Sequence, residues 1–273
     1  MIDGCLVINL PHRTDRWALF QEQIPTLTAL GLNPERLDAV SGKSLLGFGE
    51  KPWFTKRLSE KRAYAWGGKA GCTLSHRKAI ALAKERGWKN VLILEDDVRF
   101  DVAIAAQWAR LVEVMNNLPK DWIAIYLYGS RSFAPIRVAR AYPGTGCYEI
   151  GGAASTAAYI INGNSFDALL RLMPTLGTVW SWTARHKAVD RWYSRQLTLL
   201  GHVYAMAPFG ITTIETASDV ATVGAPQHTP SFDFTHVNKS TWFSVSRMPR
   251  CLINRGALDF SILRQWVKRW RGL

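Results

Sequence analysis

Four apolar residues, Val91-Leu92-Ile93-Leu94, run directly into three carboxylates, Glu95-Asp96-Asp97. The apolar run is too short for a buried helix and rich in branched side chains, so it predicts a buried strand. Three acids at the end of such a strand repel one another and require a cation or a basic partner. Oxygen ligands on a rigid strand end suit Mg2+ or Mn2+ held between the protein and a substrate diphosphate. In extended backbone alternate residues share a face, which predicts Glu95 and Asp97 on one side and Asp96 on the other. The plainer alternative is an acidic loop in which one Asp caps the following helix.

A chain of 273 residues can form one large domain or two small ones. At 48% hydrophobic and 20% charged it reads as globular. No apolar run approaches the roughly 20 residues that span a bilayer. Residues 1–10 lack a basic segment followed by an apolar stretch, so no signal peptide is visible. Cys5, Cys72, Cys147 and Cys251 are scattered without a metal-ligand spacing. Together these features predict a cytoplasmic protein with reduced thiols. Lys and Arg total 34 against 21 Asp and Glu, a net charge of +13. Residues 236–273 hold eight Lys/Arg and one acid, Asp259, giving +7, about half of the excess. The partners such charge fits are nucleic acid, an anionic membrane surface or an anionic small substrate. No nucleic-acid module is recognisable, and none is expected as a partner.

Leu6-Val7-Ile8-Asn9-Leu10 reads as a first buried strand. A turn over residues 11–16 and a helix broken by Pro25 follow, with Thr14 as its cap. Residues 41–71 have weak periodicity, several Gly and many Lys/Arg, and read as a long loop or mobile subdomain. Helices are expected over 75–86, 102–117, 165–173 and 189–200, and strands over 91–94, 123–127, 156–161 and 203–207. Strands alternating with helices predict an α/β fold with a mixed, mostly parallel sheet. Ligands in such sheets sit at the carboxyl ends of strands. Three clusters fall there: Asn9 with Arg13, Asp15 and Arg16; the acidic triplet; and the Gly151-Gly152 turn.

Several segments together resemble a known family. Val7-Ile8-Asn9-Leu10 with Arg13 and Asp15-Arg16, Gly71-Cys72-Thr73-Leu74-Ser75-His76, Leu92 through Val98, and Ala158-Tyr159-Ile160-Ile161 resemble, in order, segments of glycosyltransferase family 25. That family includes lipopolysaccharide-type β-galactosyltransferases and collagen galactosyltransferases. The resemblance covers about residues 6–219. It implies a GT-A-like nucleotide-sugar-binding domain over residues 1–235, followed by a loop-rich basic extension, 236–273. It also implies an inverting hexose transfer, commonly from UDP-galactose, with Mn2+ or Mg2+, onto a surface glycan or lipid-linked oligosaccharide, as in lipopolysaccharide or other cell-envelope glycan synthesis. Two departures stand out: the insert 48–68 is unusually basic and aromatic, and Ala188-Val189-Asp190 replaces the usual Pro-x-Asp.

An inverting transfer needs a base for the acceptor hydroxyl and stabilisation of the departing diphosphate. Asp97 is expected to ligate the metal, Glu95 to be a direct or indirect ligand, and Asp96 to hold the ribose hydroxyls. Asp219, His228 and His236 compete for a further ligand position. Asp190, at a helix start among Arg185, His186, Lys187 and Arg191, is the candidate base. Its alternative is an ordinary helix-start Asp. His76 is expected at the nucleotide or as a structural histidine. Arg13 and Arg16 suit a bidentate phosphate clamp, Asn9 the base or ribose, and Gly152 the donor turn. In the tail, Phe260, Leu263, Val267 and Trp270 share a helical face, with Arg264, Lys268 and Arg271 elsewhere. This is a membrane-surface signature or a helix packed on the core. Two other readings stay open. A Mg2+-dependent phosphotransferase or hydrolase would lack the Gly-rich Lys-Ser/Thr loop. A non-catalytic basic module binding glycan or nucleic acid would be opposed by the triplet.

Overall fold

The computed structural model describes residues 1–54, 59–101, 103–129, 138–142, 144–151, 153 and 155–214. The strands are β1 (Gly4–Asn9), β2 (Pro34–Asp38), β3 (Asn90–Glu95), β4 (Val98–Phe100), β5 (Trp122–Tyr126), β6 (Val138–Tyr142), β7 (Cys147–Ile150), β8 (Ala158–Asn162), β9 (His202–Met206) and β10 (Ile211–Thr213). The helices are α1 (Thr14–Gln21), α2 (Ile24–Ala29), α3 (Glu60–Glu85), α4 (Ile104–Asn117), α5 (Phe166–Leu172), α6 (Val179–His186) and α7 (Val189–Leu200).

Eight strands form one sheet in the order β2-β1-β3-β8-β5-β9-β7-β6, and β4 pairs with β10 apart from it. β2 and β3 run parallel to β1, and β9 runs parallel to β5. β8 runs against both β3 and β5, and β7 runs against β9 and β6. Six of the eight strands therefore point one way, with β7 and β8 reversed: the mixed, mostly parallel sheet expected.

Strand alternation splits the core into two layers. Leu6, Ile8, Val91, Ile93, Tyr159 and Ile161 pack on one face against α3, α5, α6 and α7. Cys5, Val7, Leu92, Leu94 and Ile160 pack on the other against α1, α2 and α4. Helices thus cover both faces, which is why β3 reads as an unbroken apolar run. Among the described residues no helix is long and apolar enough to cross a membrane.

Two expectations need correction. The stretch 41–71 is no simple loop, because α3 begins at Glu60, 15 residues before the helix read from the sequence. Gly67, Gly68 and Gly71 disguised it, since each glycine weakens a helix by about 1 kcal/mol relative to alanine. Their purpose is close approach. A Cβ on Gly42 would lie 1.7 Å from Gly67 O, and one on Gly71 would lie 2.4 Å from Val40 O. The turn Gly42–Ser44 therefore packs directly on the helix backbone, and Ser75 Oγ fixes it by accepting from Val40 N at 2.8 Å. The second correction is the Thr14 cap: Thr14 is already helical, Arg13 holds the cap position, and no side chain caps α1.

At the end of α6, His186 lies between Trp182 and Trp192, with ring centroids 4.7 and 6.5 Å away. Burial, aided by Arg185 and Arg195, pushes its imidazole down to about 4. A native pKa below the unfolded value means the unfolded chain binds more protons between pH about 6.5 and 4. The stabilisation is present above that window and lost as pH falls through it. A His186→Phe variant is expected to flatten the fall of melting temperature across this range; an unchanged slope would contradict the assignment.

Candidate active site

β1 and β3 are parallel neighbours, so their carboxyl ends open side by side, with Ile8 opposite Glu95. A cavity of about 510 Å3 lies there, within the usual range for small-molecule sites. Its walls come from the β1–α1 turn, the Ser41-Gly42-Lys43 turn, the middle of α3, the acidic triplet, Ser155-Thr156 and the start of α7.

The triplet does not continue as extended chain. β3 ends at Glu95, and Asp96-Asp97 form the turn into β4. The expected alternation of faces therefore fails, and all three acids line the cavity. Asp96 is buried and tied down: Asn9 Nδ2 donates to its Oδ2 at 2.6 Å and Arg16 Nη1 to its Oδ1 at 2.8 Å. Burial raises its carboxyl pKa even against those partners. Its two partners hold the carboxylate, and with it Arg16, at the cavity. Asn9 is likewise buried and absent from the cavity wall; it positions Asp96 and accounts for the strand end in that way.

Asp97 is different. Arg16 Nη1 stands 3.9 Å from its Oδ2, and its Oδ1 is buried without a hydrogen-bond partner among the described residues. Burial, reinforced by the Glu95 charge and opposed by Arg16, pushes its carboxyl up to about 7. Glu95 Oε1 accepts from Thr156 Oγ1 at 2.6 Å and faces His76 Nε2 at 3.4 Å.

The two turn arginines diverge. Arg16 lines the cavity, whereas Arg13 Nε and Nη2 fork onto the exposed Asp15 at 3.0 and 2.9 Å. That fork holds Asp15 down at about 2. The expected pair of clamping arginines is thus one arginine, with His12 rather than Arg13 beside it on the wall.

Asp190 lines the cavity at the first turn of α7, and its Oδ1 accepts from Arg191 N at 2.7 Å. Lys43, Lys69 and Arg191 also line the cavity, and Lys69 lies close enough to Asp190 and Arg191 to feel both charges. Burial, then the Arg191 charge, lowers the Lys69 pKa. Ser155 lines the floor at φ +88°, a conformation costly for a residue with a side chain and frequent at functional sites. Thr156, Ser155, Lys43 and Lys69 were not anticipated. Only a strained residue and distant pairings reveal them, and neither shows in local spacing. Gly152, Asp219, His228 and His236 lie outside the described residues, as does the tail 236–273.

Residues 2–136 match the family described as glycosyltransferase family 25 (LPS biosynthesis protein). Procollagen galactosyltransferase 1 of Danio rerio is 27% identical over 183 residues, 63% of this chain and 29% of that protein. Inactive glycosyltransferase 25 family member 3 of Homo sapiens is 30% identical over 132 residues, 46% of this chain and 21% of that protein. The chain therefore spans less than a third of the length of these relatives. Among solved structures, UDP-glucose pyrophosphorylase complexed with UDP-glucose is similar over 76% of this chain and 90% of that one, at 11% identity and a TM-score of 0.44.

Proposed function

We propose, from the premise that the chain belongs to glycosyltransferase family 25 through residues 2–136, that it is a metal-dependent inverting transferase. It moves a hexose, galactose from UDP-galactose before others, onto a glycan or lipid-linked oligosaccharide. The observation that carries this reading is the convergence of Glu95, Asp97, Arg16 and Asp190 on one cavity.

Mn2+ or Mg2+ suits the acidic corner, because Asp97 Oδ1 is a buried oxygen with no other partner among the described residues and the flanking donors are hard oxygens. Asp97 and Glu95 would hold the ion. When bound, it offsets the charge of the departing diphosphate. Arg16, fixed by Asp96, supplies a second cation for the phosphate oxygens. Asp190, on the wall of the same cavity, serves as the base. The acceptor oxygen bonds to the anomeric carbon, its proton passes to Asp190, and the bond from that carbon to the diphosphate breaks with inversion. Lys69 and Arg191, beside Asp190, make that part of the cavity attractive to anionic groups.

The test is nucleotide release from UDP-galactose, UDP-glucose, UDP-N-acetyl sugars, and GDP- and CMP-sugars, each with Mn2+, Mg2+ or EDTA. The expected result is slow UDP release from one donor, abolished by EDTA. Release that ignores EDTA would overturn the metal assignment. Asp190→Asn is expected to lower turnover by about 100-fold or more with donor affinity retained; a loss below about tenfold would remove Asp190 as the base. For the tail, the same reading places the chain on the inner face of the cytoplasmic membrane. Liposome flotation should weaken on truncation after Leu258, and equal flotation would end that part of the reading.

A further inference from the structure

Behind the acidic corner lies a group of softer ligands that the transfer reading does not use. Cys72 and His76 are four residues apart on α3, so they face the same way one turn apart. Cys72 Sγ, a His76 ring nitrogen and a Glu95 carboxylate oxygen all lie within 4.8 Å of one another. His76 is 1% exposed, and its Nε2 has no hydrogen-bond partner among the described residues.

His76 Nδ1 lies 2.7 Å from Tyr159 Oη, which fixes the ring, and Nε2 faces Glu95 Oε1 at 3.4 Å. One edge of the imidazole is thus held by a tyrosine while the other is turned toward a carboxylate and a thiol, a mixed N, O and S donor set that suits a cation.

We propose that Cys72, His76 and Glu95 form a binding site for a thiophilic divalent cation, with Zn2+ the best fit, on the floor of the cavity. Three protein ligands of S, N and O type with a further position open to the cavity suit zinc, whereas the all-oxygen corner at Asp97 suits Mn2+ or Mg2+. The supporting groups are in place: Thr156 Oγ1 donates to Glu95, and Tyr159 orients the imidazole. Binding displaces the thiol proton to solvent. Burial first, then the charges of Glu95 and Asp190, keep the empty-site thiol protonated, which argues against a Cys72–His76 nucleophile pair. Glu95 belongs to both sites, so zinc on the floor withdraws a ligand from the hard-cation corner. This last consequence rests on the transferase reading; the site itself does not.

The test is titration of the full-length protein with Co2+ under a phosphine reductant, read as the near-ultraviolet thiolate-to-cobalt absorption. One equivalent is expected to produce the band, Zn2+ to bleach it, and Cys72→Ser to abolish it while the circular dichroism stays unchanged. Asp97→Asn is expected to keep the band, so its fate is separable from that of the transfer reading. Tyr159→Phe, which removes only the orienting hydroxyl, is expected to weaken Co2+ binding by about 10–100-fold. Absence of the band in the folded wild type, or its survival in Cys72→Ser, would overturn the site.

Discussion

Asp97→Asn is expected to abolish metal-dependent turnover and, in the same protein, to raise the melting temperature of the metal-free form at pH 8. The first effect follows from removing a carboxylate whose buried Oδ1 has no hydrogen-bond partner among the described residues. Losing an ion that stabilises diphosphate charge removes several kcal/mol of transition-state stabilisation, so turnover should fall by at least about 100-fold. The second effect follows from linkage. The Asp97 carboxyl sits at about 7 in the fold, above its ordinary value of 3.8, because burial and then the Glu95 charge disfavour ionisation. A raised native pKa means the folded state binds more protons between pH about 4 and 7. The associated stability is present below that window and is lost as pH rises through it. At pH 8 the ionised group strains the metal-free fold by a few kcal/mol at most, reduced because the side chain is 22% exposed. Asparagine removes that strain. Melting curves in EDTA from pH 4 to 8 check it: the wild type should lose more stability than the variant across the window. A variant less stable than wild type at pH 8 would contradict the assignment.

Gly71→Ala is expected to destabilise the protein, against the sense of helix propensity. Propensity alone favours alanine inside α3 by about 1 kcal/mol. The new Cβ, however, would lie 2.4 Å from Val40 O and 2.7 Å from Gly42 N, backbone atoms that cannot swing aside. Relieving such overlap typically costs about 1–3 kcal/mol. Gly42→Ala, with its Cβ 1.7 Å from Gly67 O, should be at least as severe. In a chain of this size the melting temperature should drop by several degrees. Both changes push the Ser41-Gly42-Lys43 turn off the cavity wall, so nucleotide affinity should fall with stability. Gly177→Ala meets nothing within 4 Å and serves as the neutral control. Equal melting temperatures for all three variants would show that the turn does not rest on the helix backbone.

What could be read from the chain is what depends on local pattern. The run 91–94 entering three acids marks the central strand and the site at its end. The 189–200 helix coincides with α7, because Trp192, Tyr193 and Leu197 are buried on one face of it. What escaped depends on distant partners. Arg13 and Arg16 are equivalent in sequence, and only the turn decides that one faces Asp15 and the other the cavity. Asn9 at a strand end resembles a substrate reader until Asp96, 87 positions away, is seen to occupy it. Thr156 became a site residue only through the pairing of β8 with β3, which sets it beside Glu95. The short strands β4, β7 and β10 carry too few residues for a periodic signal. Helix α3 was shortened because glycine was taken as a breaker where it allows contact.

The most direct test of the central claim, a nucleotide held through a cation at Asp97, is calorimetric titration of UDP into the wild type and Asp97→Asn, each with Mn2+ and with EDTA. Binding to the wild type should be at least about tenfold tighter with Mn2+, a difference of about 1.4 kcal/mol, and that gain should vanish in Asp97→Asn. UDP binding that is equal in EDTA, or absent in both conditions, would contradict it.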